Sequence, residues 1–296
     1  MKQPLYVTFT MDCERIQAES PPGGPASWDL SERAIRGYCE RLIDRGMPPT
    51  LFLTPECAAR HARMIREFGD AGAQLGLHVH PESFLDGRWD KPIGMYDRAT
   101  QKNILQIARD KVAEAVGVIP TAFRSGNCSA NNDTFPILVE LGFTHGSLSD
   151  PGRHAPNWAA DWFDAYPWPY FVSAEGPGIR GDMPFVEIPI TTDRRDLKRN
   201  SSPQELRIER GPYADVHGPI IDYALAEMDR EKPDIRTLCI ITHNTFDYSD
   251  DKELRTQTLM DVINRIDDLR SHYDVRGGTV GKVAEVFCRT VGGVSR

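Results

Sequence analysis

Several things are scarce in this 296-residue chain, and each scarcity excludes something. No run approaches the roughly 20 consecutive apolar residues of a membrane-spanning helix, which removes that class of protein. Basic residues are in deficit: 35 Lys and Arg stand against 43 Asp and Glu, a formal charge of −8. Nucleic acid and anionic membrane surfaces reward clustered cations, so neither is expected as a partner, and a neutral or cationic small molecule or glycan is. Only six cysteines occur, at positions 13, 39, 57, 128, 239 and 288, without CxxC or zinc-finger spacing. Free, mostly buried thiols are expected rather than a disulfide framework. The opening "MKQPLYVTFTMDCE" meets acids at Asp12 and Glu14 before any signal-peptide core forms, so a cytoplasmic location is expected. Repeats, low-complexity tracts and linkers are also missing, which predicts one domain over 1–296.

What is present alternates. Strand-like runs at 5–11, 50–54, 73–79, 121–126 and 143–148 are separated by helical patterns at 31–46, 55–72, 97–117 and 132–142. Further strands read at 185–191, 237–243 and 275–280, with a helix between the last two. Strands separated by helices predict an α/β fold with a parallel sheet, and seven or eight of them predict a (β/α) barrel; an open doubly wound sheet is the alternative. A long insertion at about 150–184, rich in Pro, Gly and aromatics, interrupts the rhythm. Its tryptophans, Trp158, Trp162 and Trp168, fit either loop packing or a lid whose aromatic faces stack on sugar rings.

In a barrel the chemistry lies at the C-terminal ends of the strands. Those ends are polar here: Asp12 and Glu14 on the first strand, His78 and His80 on the third, Arg124 on the fourth, His243 on the late one. Residues i and i+2 of a strand share a face, so Asp12 and Glu14 pair as a base and a ligand, or as a solvated strand end. His78 and His80 have the same spacing and suit a metal, imidazole being its common neutral ligand. Taken singly, Arg124 fits a salt bridge and His243 a strand cap. Together, six ionisable groups from distant segments converge on one rim, the pattern of an active site.

In this order the segments resemble the polysaccharide deacetylase (NodB-homology, carbohydrate esterase family four) superfamily. "VTFTMDCE" is similar to its first motif, "TLFLTPECAARHARMIREFGDAGAQLGLHVHP" to the stretch leading into its histidine motif, "TAFRSGN" to its third motif and "LCIITHN" to its last. The likeness spans about 5–148 and 185–287 and leaves the aromatic insertion outside. It implies a deformed (β/α) barrel and one divalent metal, usually zinc. It also implies Asp12 as catalytic base, Arg124 orienting it, His243 as general acid, and Glu14, His78 and His80 as metal ligands, with Asn127 in the substrate groove. Trp168 is taken as a further substrate contact. Two departures stand out: Cys13 falls where the family has its second aspartate, and Glu82 where it has its second motif histidine, so both stay open as ligands. The implied function is metal-dependent amide hydrolysis, foremost N-deacetylation of an acetylated amino sugar on a small molecule or oligosaccharide. The alternatives are a cyclic amide or ureide hydrolase of allantoinase type and a metal-free carbohydrate-binding pseudoenzyme. Self-association is left open.

Overall fold

The computed structural model describes residues 2–19, 23–84, 87–195, 197 and 202–292. β1 (Pro4–Cys13) is buried at nine of its ten positions, because the sheet is covered on both faces. The chain then runs α1 (Trp28–Ile43), β2 (Thr50–Leu53), α2 (Pro55–Arg60), α3 (Ala62–Asp70), β3 (Gln74–Val79), α4 (Arg98–Val116), β4 (Ala122–Ser125), α5 (Thr134–Glu140) and β5 (His145–Gly146). Side-chain caps start several helices: Ser27 accepts from the Leu30 N–H, Thr54 from Cys57 and Asp97 from Thr100. The single helix expected at 55–72 is two, broken at His61, whose Nε2 lies 3.1 Å from Ser31 Oγ.

The insertion folds as two hairpins, β6 (His154–Ala155) with β7 (Ala160–Asp161) and β8 (Tyr170–Ser173) with β9 (Gly176–Arg180). After it come β10 (Val186–Glu187), β11 (Thr192–Asp193), β12 (Gln204–Glu205), α6 (Gly218–Glu231), β13 (Thr237–His243), α7 (Leu254–Leu269), β14 (Asp274–Gly277) and α8 (Val280–Gly292). The main sheet has ten strands ordered β13-β1-β2-β3-β4-β5-β10-β8-β9, with β14 beside the lower half of β1. Every pairing among the eight strands that alternate with helices is parallel; β8 and β9 add an antiparallel edge. The barrel closes irregularly, where Thr191 N–H donates to the Cys239 carbonyl (3.1 Å) and Ile241 N–H to that of Leu206 (3.1 Å).

Period-two alternation sorts the strand side chains. Val7, Phe9, Met11 and Cys13 of β1 join the core beneath the helices, whereas Tyr6 joins an interior cluster with Phe52, Ala122, Val186, Ile188, Cys239, Val280, Val283 and Phe287. α8, expected as strand at its start, plugs the barrel's lower mouth: its Val280 and Gly281 N–H groups donate to Thr50 Oγ1 (2.9 Å) and Gln74 Oε1 (2.8 Å). Above that apolar plug the interior row continues through Thr8 and Thr10 to Asp12 and Glu14. Among the described residues, no helix is long and apolar enough to cross a membrane.

Candidate active site

Strand register assembles the rim. Asp12 is the register partner of His243, and His78 that of Arg124. All six rim residues lie on interior-facing positions, and a cavity of about 560 Å³ opens above them.

Asp12 and Arg124 are both buried and meet at 2.9 Å through Oδ1 and Nη1. A buried ion pair is favourable only when its remaining hydrogen-bonding groups are satisfied. Arg124 meets that condition: it donates to Thr10 Oγ1 (2.8 Å), the Ser147 carbonyl (2.7 Å) and Ser147 Oγ (2.8 Å), and its guanidinium lies 4.4 Å from the Phe52 ring centre. Burial pushes the Asp12 carboxyl upward, but Arg124, His78 and His243 outweigh it and hold it below its ordinary value. Asp12 is thus an ionised carboxylate held in one orientation.

Glu14, His78 and His80 place one candidate ligand atom each within 4.8 Å of one another. Glu14 Oε1 lies 3.3 Å from His80 Nε2 and 3.8 Å from His78 Nε2. A cation about 2.0–2.2 Å from each atom spans such separations. The tautomers also fit. His78 Nδ1 lies 3.0 Å from the Arg124 carbonyl, which only accepts, so Nδ1 carries the proton and Nε2 keeps a lone pair. That Nε2 is buried with no hydrogen-bond partner among the described residues. His80 Nδ1 lies 3.3 Å from Glu82 Oε1, the carboxylate–imidazole pairing that orients metal-binding histidines. Burial lowers the His80 pKa, but Glu14 and Glu82 together raise it to about 10. The same field favours a divalent cation there. The donor set therefore fits the divalent metal implied by the resemblance. Neither alternative ligand joins the set: Glu82 stands behind His80, and Cys13 points into the helix-side core with its thiol pushed well up by burial.

Two neighbours hold this arrangement. Asn244 clamps Glu14, accepting its N–H (2.9 Å) and donating to its carbonyl (3.0 Å). Gly126 makes room for His80: a Cβ there would lie 2.4 Å from the ring.

His243 Nδ1 lies 3.0 Å from Glu209 Oε1, and its Nε2 lies 3.8 Å from both Asp12 Oδ2 and Glu14 Oε1. Burial raises the Glu209 carboxyl, but the His243 hydrogen bond and Arg207 bring it below its ordinary value, so it is an ionised acceptor. Glu209 escaped the sequence reading because it sits in a 3-10 turn (Ile208–Arg210) with no strand or helix period around it. Glu205, Arg207 and Arg210, in the same part of the chain, and Arg153, just before β6 in the insertion, also line the cavity and were not foreseen.

The two expected substrate contacts part ways. Asn127 lines the cavity in a left-handed conformation (φ 57), followed by Cys128 (φ 55). Trp162 pins this turn, donating from Nε1 to the Cys128 carbonyl at 2.7 Å. Trp168 does not line the cavity. It is buried and donates from Nε1 to Glu231 Oε2 (2.6 Å), at the end of α6 that leads into the start of β13, away from His243. Of the two readings of the insertion, packing holds for Trp162 and Trp168, which are buried, while Trp158 is exposed; β8 and β9 form an edge of the main sheet and β6 and β7 a separate hairpin.

No protein-family model matches the chain, and no curated protein matches it. Solved structures do. A Mycobacterium smegmatis chain assigned as a polysaccharide deacetylase is 20% identical over 97% of this chain and 90% of its own, with a TM-score of 0.61. PuuE allantoinase is 16% identical over 96% and 90%, TM-score 0.63, and a Parabacteroides distasonis chain assigned as a glycoside hydrolase/deacetylase is 10% identical over 97% and 72%, TM-score 0.69. The chain has the fold shared by polysaccharide deacetylases.

Proposed function

We propose that the protein is a metal-dependent amide hydrolase, an N-deacetylase of an acetylated amino sugar or related glycoconjugate. The observation that carries this reading is a base and an acid flanking one His-His-Glu cluster, with His243 Nε2 3.8 Å from Asp12 Oδ2. A divalent cation held by Glu14, His78 and His80, zinc for preference, supplies Lewis-acid polarisation of the carbonyl and a lowered water pKa. Asp12, fixed by Arg124, takes a proton from the attacking water. As the C–N bond breaks, His243 gives a proton from Nε2 to the nitrogen, which leaves as an amine; Glu209 holds the ring at Nδ1 and balances its charge. Asn127, which lines the same cavity, contacts the substrate. The net reaction is amide plus water to carboxylic acid plus amine.

Acetate release from a panel of N-acetylated amino sugars by zinc-loaded protein tests this. Turnover abolished in Asp12→Asn supports the reading. Turnover of allantoin with no acetate from any sugar replaces it by cyclic-amide hydrolysis, and no bound metal replaces it by a carbohydrate-binding protein.

A further inference from the structure

We propose that the cavity recognises an anionic group on its substrate, a carboxylate or a phosphate, through Arg153, Arg207 and Arg210. The inference rests on the hydrolase reading and narrows its substrate class to acylated amines that carry an acid function.

Three guanidinium groups line one wall of the cavity and share one carboxylate. Glu205 lies 3.9 Å from Arg153 Nη1, 3.6 Å from Arg207 Nη1 and 3.5 Å from Arg210 Nη2. These separations exceed the roughly 2.7–2.9 Å of a charge-assisted hydrogen bond. The Nε atoms of Arg153 and Arg207 are buried without a hydrogen-bond partner among the described residues. Arg124 shows what a fully engaged arginine looks like in this molecule: four bonds of 2.7–2.9 Å to fixed acceptors. The wall arginines instead keep donors in reserve, and a guanidinium has five, in a fork that matches carboxylate and phosphate oxygens.

Local charge agrees. Besides Glu205, the acids near the three arginines are Glu209, committed to His243, Asp12, whose charge acts on Arg207 but which is paired with Arg124, and Asp150, 3.5 Å from Arg153 Nη1. Burial, and after it the Glu205 charge, pushes the Asp150 carboxyl well above its ordinary value, which lessens the negative charge facing the arginines. The chain's overall charge of −8 points to a neutral or cationic partner, but it describes the distant field, not this wall. Position follows as well: Arg207 Nε is 3.4 Å from Glu209 Oε2, so the anion binds on the side of the departing amine.

Titration calorimetry on zinc-loaded full-length protein, with acetate release followed in the same samples, compares N-acetylglucosamine, N-acetylglucosaminuronic acid and N-acetylglucosamine 6-phosphate. At least one acidic sugar is expected to bind about tenfold tighter than the neutral one, the size of one good charged hydrogen bond. The tighter of the two identifies the group as carboxylate or phosphate. Arg153→Gln and Arg210→Gln should each weaken that sugar more than the neutral one, with bound zinc unchanged. Equal affinity for all three sugars, no binding of either acid, or a preference that survives in the folded double variant overturns the inference. Acetate release without acid preference sinks the inference alone, whereas acid preference without hydrolysis of any sugar sinks the hydrolase reading and leaves the anion site standing.

Discussion

At the residue scale, the division of labour between Asp12 and His243 depends on their partners. Replacing Asp12 by Asn keeps the shape but removes the base, and kcat should fall about 10²–10⁴-fold; unchanged turnover would show that another group takes the proton. Glu209→Gln still accepts from His243 Nδ1 but cannot balance its charge. Its kcat/KM should fall about tenfold or more with zinc content unchanged; a variant as fast as wild type would reduce Glu209 to packing. The six rim residues were legible in sequence because each ends a strand, where period two and the barrel rule say which way a side chain points. Cys13 and Glu82 were ambiguous by motif alignment, and strand geometry resolves them: Cys13 is one residue out of phase with the interior row, and Glu82 lies past the end of β3 behind the imidazole. Glu209 and the three wall arginines were not legible, since a 3-10 turn and a closing segment carry no period to project them.

At the element scale, the loop after β4 is a moulded wall for the Glu14, His78 and His80 cluster. Gly126→Ala would push a methyl against His80. Zinc affinity should drop about 10–100-fold while the fold persists, a change read by competition with a chelating dye; unaltered affinity would mean that His80 is not a ligand. The aromatic insertion tests the corrected reading from the other side. Trp168→Phe removes the hydrogen bond to Glu231 and should cost about 1–2 kcal/mol in urea unfolding while KM and kcat stay at wild-type values. A raised KM would restore Trp168 to the substrate groove. The insertion kept two readings in sequence because exposed sugar platforms and buried hairpin cores have the same aromatic composition; what separates them is tertiary. α6 was not foreseen in sequence; it opens on Gly218 and Pro219, and proline is well suited to a helix's first turn.

At the scale of the whole molecule, alternation predicted the parallel sheet of seven or eight strands and most of the helices between them, whereas α6, α8 and the contacts that close the barrel were not read from it. The closing contacts join backbone at Thr191 and Leu206 to β13, and such irregular pairings leave no hydrophobic period. Near that seam sits Glu187, fully buried, accepting the Leu148 and Ser149 N–H groups at 2.7 Å. Burial outweighs those bonds and pushes its pKa from 4.5 up to about 7. Because the folded value is the higher one, its protonated form stabilises the fold fully below about pH 4.5, and that stability is lost as pH rises through about 7. Wild type should therefore lose stability relative to Glu187→Gln between pH 5 and 8, by up to roughly 3 kcal/mol; parallel urea curves at both pH values would refute the shift.

Whether Glu14, His78 and His80 hold a divalent metal is read from metal content per chain on protein purified without chelator. About one zinc per chain is expected in wild type, lost in His78→Ala and in His80→Ala, with loss of amide hydrolysis in both. A wild type that binds no metal even after zinc is added back would overturn the proposed function and leave the histidines as an ordinary strand end.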